Sequence, residues 1–187
     1  MIGSMNSERP DDIAGQERRD WQLRRAERDA EVRRLQAAGR CYQCHDQQVG
    51  GALLGRETVI ATRGPVQASL SADPRVPGHT IVGWLPHVPD FLGLDETETG
   101  ILFNAAREVG LALRAAVGCE RVYLVTMCDG ALNHLHLQLI PRYAGTLIGS
   151  QRLVDPRQPL RGAAGLTAAV REHLSEGWQP PNAADGP

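Results

Sequence analysis

The sequence predicts an α+β fold: an antiparallel sheet of about five strands, a long packed helix, an N-terminal helical arm and a short C-terminal helix. Short runs rich in Val, Ile, Leu and Tyr are separated by Gly and Pro, which is typical of strands joined by turns. One longer segment carries apolar residues at helical spacing, which indicates a helix packed across that sheet.

The elements are predicted in the following order. An arm at 12–40, rich in Arg, Glu, Gln and Ala, is expected to be a weakly amphipathic helix. Strands are expected at 59–62, 66–70, 80–84, 121–127 and 134–140. Asp95 and Glu98 form an Asp-x-x-Glu helix start. That helix is expected to reach about Val117, with one apolar stripe formed by Ile101, Ala105, Val109 and Leu113.

The domain organisation follows from these elements. We expect a disordered leader at 1–11, the helical arm at 12–40, one domain at 41–176 and a disordered tail at 177–187. Within the domain, a second helix is expected near 166–174. The arm is either a solvated extension or a packing arm that covers a subunit interface or a metal site, and its charges do not decide between them.

Composition excludes several classes of function. The chain has 187 residues and a net charge of −2, which argues against a polymer of nucleic acid held through its backbone. All 20 basic residues are Arg, so Schiff-base chemistry and a Walker-type phosphate lysine are excluded. The polar start and the lack of a long apolar run predict a cytoplasmic protein without a membrane span.

The segment at 134–140 carries the strongest functional signal. Strict alternation places His134, His136 and Gln138 on one face of a strand, and Leu135, Leu137 and Leu139 on the core side. Side chains on one face lie about 6.6 Å apart, so the polar row suits a tetrahedral phosphate. The alternative is an ordinary antiparallel strand with one wet face.

A second signal is the pair Cys41 and Cys44, whose spacing lets two thiolates bind one tetrahedral cation. With His45 the segment also matches the C-x-x-C-H pattern of c-type haem attachment, which would require export. A disulfide between the two cysteines is the third interpretation, and it does not suit a reducing cytoplasm.

These motifs together resemble the histidine triad (HIT) superfamily. The resemblance rests on His-x-His-x-Gln followed by Ile-Pro-Arg, and on the stretch VIATRGPVQASLSADPRVPGHTIVGWLPHVPDFLGLDETE at 59–98, which contains the family's Pro-Gly-His marker. With the two cysteines it covers about 41–142, so the domain at 41–176 is expected to be HIT-like. Gln in the third place is similar to galactose-1-phosphate uridylyltransferases and diadenosine tetraphosphate phosphorylases.

The resemblance implies a mechanism and a metal. His136 takes the nucleophile's place, and Gln138 contacts the phosphate as a group that cannot act as general acid or base. A structural zinc ion would be held by Cys41, Cys44, His87 and His134. It implies a homodimer that acts on a nucleotide or nucleotide conjugate, by transfer or phosphorolysis rather than hydrolysis. The alternatives are a nucleotide hydrolase and a non-catalytic nucleotide-binding protein.

The substrate contacts depart from the family pattern. Ser71 stands where an Asp usually holds the ribose hydroxyls, and Asp73 is the substitute candidate. The usual Gly-Gln before the triad is missing, which leaves Asn133, the Gly130 backbone and Thr126 as candidate phosphate contacts, unless they are simply turn residues. Arg142 is a phosphate ligand or a surface ion pair.

Overall fold

In the computed structural model, which describes residues 10–127, 132–146 and 157–181, five strands form one antiparallel sheet. They are β1 (Val59–Arg63), β2 (Val66–Leu70), β3 (Thr80–Trp84), β4 (Arg121–Val125) and β5 (His136–Arg142). Their order across the sheet is β1-β2-β3-β5-β4. The predicted α+β class and the predicted sheet are therefore confirmed.

The helices of the described residues are α1 (Pro10–Ala37), α2 (Tyr42–Gln48), α3 (Glu96–Val117) and α4 (Ala163–Arg171). The predicted leader at 1–11 is too long, because α1 already begins at Pro10, where a fixed φ and a missing N–H suit a first helical position. The short helix α2 was not predicted as a separate element. None of these helices has the length and apolar character needed to cross a membrane.

The predicted start of the long helix is confirmed in detail. Asp95 is the N-cap of α3 and accepts from the main-chain N–H of Glu98 at 2.8 Å, while the Glu98 carboxylate accepts from the N–H of Asp95 at 3.0 Å. This reciprocal capping box satisfies two otherwise unpaired donors. The helix ends at Gly118, which adopts the left-handed conformation with φ 63°.

Helix α3 packs on the sheet through one apolar face, which includes Leu102, Ala105, Val109 and Leu113. The predicted stripe is wrong in one position, because Ile101 is 42% exposed. At about 100° per residue, the buried arc is centred near Leu102 and Val109, which leaves Ile101 at its edge.

The C-terminal segment corrects two predictions. Helix α4 ends at Arg171, earlier than the predicted 174, and the described part of the predicted tail is ordered. Gln179 pairs with Thr62 of β1 through two main-chain hydrogen bonds of 2.8 Å, and Trp178 is only 8% exposed. A large aromatic surface and an available strand edge hold the segment in place.

Candidate functional site

The chain leaves the sheet just before β5, which corrects the predicted start of that strand. The β3–β5 ladder ends at the pair Gly83–His136. Beyond it, the main-chain N–H of Leu135 donates to the carbonyl of Val88 at 2.7 Å. Residue 134 therefore lies beside the loop that follows β3, and the rings of His134 and His87 are 5.4 Å apart.

This geometry brings the four predicted metal ligands together. Their ligand atoms all lie within 4.8 Å of one another. The Sγ atoms of Cys41 and Cys44 lie 3.5 Å and 3.4 Å from Nδ1 of His134. Cys44 Sγ also lies 3.4 Å from Nδ1 of His87.

These separations fit a tetrahedral zinc ion. Zn–S bonds of about 2.3 Å and Zn–N bonds of about 2.0–2.1 Å place sulfur and nitrogen ligands about 3.5 Å apart. The Nε2 of His134 donates to the carbonyl of Trp84 at 2.6 Å, so Nδ1 keeps the lone pair that a metal ligand needs. The donor set and the supporting hydrogen bond both suit the metal.

The thiols themselves favour a cation over a disulfide. Both cysteines are free. Burial first, and then the contact with Cys41, raise the pKa of Cys44 to about 11, so the thiolate form needs a neighbouring positive charge. His45, the residue behind the haem interpretation, is not among the clustered ligands and contacts Arg40 at 3.0 Å instead.

The predicted nucleophile lies next to this cluster. The Nδ1 of His136 is 2.9 Å from the carbonyl oxygen of His134. A carbonyl only accepts, so Nδ1 carries the proton and Nε2 keeps a lone pair. His136 is half-buried and lines a cavity of about 330 Å³ together with Gln138, which is 5% exposed.

Behind Gln138 lies a neutral histidine. His79 is 1% exposed, and its Nδ1 accepts from the main-chain N–H of Arg75 at 3.2 Å. Burial, followed by the charges of Arg157 and Arg75, lowers the pKa of His79 to about 3. Its proton is therefore on Nε2, which is buried and has no hydrogen-bond partner among the described residues.

Only some of the predicted substrate contacts lie at the cavity. Ser71 and Asp73 line the same cavity as His136. Asn133 is described but does not line it, and Gly130 lies outside the described residues.

Arg142 is not brought to the cavity. It is the last residue of β5, at the end of the strand away from His136, and its Nη2 lies 3.4 Å from the carboxylate of Glu120. The structure thus gives Arg142 an ion-pair partner, which is one of the two sequence-based alternatives, and does not place it in the cavity lining.

Asp73 is engaged by α1. Its carboxylate accepts from Nε1 of Trp21 at 3.1 Å and pairs with Arg28, and Arg25 lies 3.8 Å away. Its main-chain carbonyl accepts from Arg157 at 2.7 Å. The arm at 12–40 thus packs against the wall of the cavity, rather than extending into solvent.

Sequence reasoning missed Arg25, Arg28 and Arg157, which all line the cavity. An Arg-rich helix with mixed charges is usually a solvated surface, and no spacing connects α1 with a residue more than 120 positions later. Only the packing of α1 reveals this group.

Comparisons with known proteins agree with the fold. Residues 55–145, slightly less than half of the chain, match the model of the HIT domain. No curated protein sequence matches the chain significantly. Both helix α1 and the segment from 157 onward lie outside the matched region.

Several solved structures share the fold. A hypothetical histidine triad nucleotide-binding protein from Sulfolobus tokodaii is 23% identical, with a TM-score of 0.57, covering 71% of this chain and 91% of that one. A Zn-bound histidine triad family protein from Mycobacterium smegmatis is 17% identical, with a TM-score of 0.58, covering 72% and 92%. A histidine triad protein from Sinorhizobium meliloti is 21% identical, with a TM-score of 0.55, covering 62% and 88%.

Proposed function

We propose that this protein transfers a nucleotidyl group from a nucleoside phosphate compound to a phosphate-bearing acceptor, through a nucleotidyl-histidine intermediate on His136. One observation carries the proposal: Nδ1 of His136 is held by the carbonyl of His134 at 2.9 Å, which leaves the Nε2 lone pair available at the cavity wall. That is the tautomer a nitrogen nucleophile requires. The HIT domain match supports the same chemistry.

The reaction proceeds as two displacements. First, Nε2 of His136 attacks the α-phosphorus; the P–N bond forms while the P–O bond to the leaving group breaks, and its electron pair departs on oxygen. An acceptor oxygen then attacks the same phosphorus, and the P–N bond breaks with its pair returning to Nε2. In both steps the carbonyl of His134 accepts from Nδ1–H and stabilises the positive charge on the ring.

Gln138 is proposed to donate to a phosphate oxygen in both steps. The neutral His79 supports this role, because its Nε2 is buried without a hydrogen-bond partner and Gln138 is among the side chains that act on its ring. We propose that Nε2–H donates to the amide oxygen of Gln138 when substrate binds and so directs the NH₂ group into the cavity. We assign His79 as a positioning residue. Neither group changes its charge near neutral pH.

Zinc is proposed as the resident metal. Cys41, Cys44, His87 and His134 would hold it, and the M. smegmatis relative is described as Zn-bound. Its contribution would be structural, since it would crosslink α2 to the loop after β3 and to the start of β5. The chain's own residue His134 then presents its carbonyl to His136.

Transfer is preferred to hydrolysis because of Gln138. A third histidine could assist the attack of water by exchanging a proton, whereas a carboxamide cannot. The intermediate should therefore persist long enough to meet a phosphate-bearing acceptor. The similarity of this Gln to that of the uridylyltransferases and phosphorylases supports the same preference.

The experiment is to incubate the full-length protein with nucleoside di- and triphosphates and sugar nucleotides, and to measure its intact mass. A covalent nucleotidyl adduct is expected, absent in His136→Ala and retained in His173→Ala, an exposed histidine outside the site. If no nucleotide gives an adduct and none is consumed, the chain is a non-catalytic binder and the proposal fails.

The products distinguish transfer from hydrolysis. With inorganic phosphate or a sugar phosphate present, the transferred group should be recovered on that acceptor. If free nucleoside monophosphate is the sole product under these conditions, the protein is a hydrolase.

We also propose that the protein is a cytoplasmic homodimer. Reduced thiols at the metal site suit a reducing compartment. Strand β4 is an edge strand, and Leu124 and Met127, at and just after its end, are 45% and 36% exposed. Such a surface suits self-association, which sedimentation equilibrium measures directly.

A further inference from the structure

Three arginines from outside the HIT domain match converge on the cavity that holds His136. Arg25 and Arg28 belong to α1, and Arg157 precedes α4. All three line the cavity together with His136 and Gln138. The part of the chain that the domain match omits therefore supplies part of the cavity wall.

Asp73 is the residue that all three arginines contact or approach, and the carboxylate of Asp29 lies close to Arg25. Arg28 pairs directly with the Asp73 carboxylate, and Arg157 donates to the main-chain oxygen of Asp73 at 2.7 Å, so Arg157 uses no carboxylate for this bond. Arg25 lies 3.8 Å from Asp73 and 3.8 Å from Asp29, beyond hydrogen-bond distance from both. Among the described residues, Arg25 makes no hydrogen bond.

Three carboxylates, those of Asp29, Asp46 and Asp73, line the same half-buried cavity as the three arginines. Arg75 adds a fourth guanidinium beside Arg157, which leaves an excess of one positive charge. Burial first, and then the neighbouring Arg75, lower the pKa of Arg157, while Asp73 opposes the shift. Like charges gathered away from water are costly unless an anion complements them. The planar guanidinium group matches the oxygens of a phosphate in particular.

We propose that Arg25, Arg28 and Arg157 form a subsite for a second phosphate group of the reaction, beside the phosphorus that His136 attacks. The inference rests on the proposed function, which places the first phosphate at His136 and Gln138. The second phosphate belongs either to the leaving group of the donor or to the acceptor. The leaving group and the acceptor both present a phosphate to the arginines. Because Arg25 and Arg28 belong to α1, this helix takes part in substrate selection.

The subsite is tested with inorganic tripolyphosphate and the full-length protein by isothermal titration calorimetry. Arg25→Gln and Arg157→Gln should each raise the Kd about tenfold, since each removes charge-assisted hydrogen bonds. Arg33→Gln, which removes an exposed arginine of the same helix, should leave it unchanged. Arg28 is kept, because it anchors α1 to Asp73.

Two results would overturn the subsite. One is the absence of tripolyphosphate binding to the unmodified protein. The other is equal affinity in Arg25→Gln, Arg157→Gln and Arg33→Gln, with all variants folded by circular dichroism. If Arg25→Gln or Arg157→Gln fails to fold, Arg25→Lys takes its place. This variant keeps the charge and should lose only part of the affinity for tripolyphosphate.

Nucleotide binding to His136→Asn, which prevents turnover, identifies the source of the second phosphate. If the leaving group occupies the subsite, ATP and GTP should bind more tightly than AMP and GMP, and Arg25→Gln should remove that gain. If the acceptor occupies it, inorganic phosphate should bind in the presence of the monophosphate. Tripolyphosphate binding without any nucleotide binding or adduct would refute the proposed function alone.

Discussion

The imidazole of His134 and the main-chain carbonyl of Trp84 are joined by a hydrogen bond of 2.6 Å. This bond fixes the ring tautomer, so that Nδ1 points its lone pair at the two thiols. The main-chain carbonyl of the same residue accepts from His136. One residue thus belongs to the candidate metal cluster and supports the proposed nucleophile at once.

The first prediction concerns Cys44, which contacts His134 in the candidate metal cluster. Cys44→Ser should reduce zinc from about one ion per chain to near zero, and lower the melting temperature by about 10 °C. It should also weaken adduct formation on His136, which depends on the position of His134. Elemental analysis measures the zinc content, calorimetry the melting temperature, and intact mass the adduct on His136.

Cys119→Ser is the matched control, since Cys119 is a buried thiol outside the cluster. It should keep its zinc. Equal zinc content in the two variants would refute the assignment of Cys44 as a ligand.

The second prediction concerns pH and His79. Its pKa is about 3 in the folded protein, against an ordinary value of 6.5. As the pH falls below 6.5, the unfolded chain binds a proton that the folded chain does not, so stability is lost progressively toward pH 3. His79→Gln should make the stability curve flatter across this window.

Urea unfolding at several pH values between 7 and 4 measures this difference. At pH 7, His79→Gln should cost about 1–2 kcal/mol, since it disturbs a buried hydrogen-bonded side chain. His173→Gln alters an exposed histidine and should keep the slope of the unmodified protein. If stability depends on pH in the same way in both variants, His79 is not held in its neutral form by burial.

The fold was largely predictable because its signals are local. The alternation of Leu135, Leu137 and Leu139 predicts a strand with one core face, and these residues are at most 2% exposed. The Asp95 and Glu98 pattern predicts a cap whose hydrogen bonds span only three residues. Both depend on neighbours in sequence, so no knowledge of packing is needed.

The site was predictable only in part. The spacing of Cys41 and Cys44 indicates a metal site from sequence alone, but their partner histidines came from the family resemblance. The roles of Arg25 and Arg157 depend on how α1 packs over Asp73, and no local pattern encodes that docking. The partner of Arg142 could not be named from the sequence, because Glu120 precedes the neighbouring strand β4.

The third prediction concerns the C-terminal segment that sequence reasoning considered disordered. Trp178 donates to the carboxylate of Glu108 at 3.0 Å, and Arg63 stacks on its ring at 4.6 Å. Trp178→Ala should destabilise the protein by about 3 kcal/mol, and Trp178→Phe, which loses mainly the N–H donor, by about 1 kcal/mol. Urea unfolding measures both free energies. If the segment around Trp178 is not packed against the domain, neither substitution will change the free energy of unfolding.

The last prediction separates two roles for Asp73. If Asp73 holds the ribose hydroxyls in place of the Asp that the family has at the position of Ser71, Asp73→Asn should weaken the binding of every nucleotide, whatever its number of phosphates. If instead its carboxylate balances Arg25 and Arg28, as the contacts indicate, removing that negative charge should strengthen tripolyphosphate binding roughly tenfold. Asp20→Asn removes an exposed carboxylate from the same helix and should change neither. Calorimetric titration with tripolyphosphate and AMP distinguishes the two roles, because the ribose role lowers the affinity for AMP alone, whereas the balancing role raises the affinity for tripolyphosphate. A loss of AMP affinity with unchanged tripolyphosphate affinity in Asp73→Asn would exclude the balancing role and assign Asp73 to the ribose.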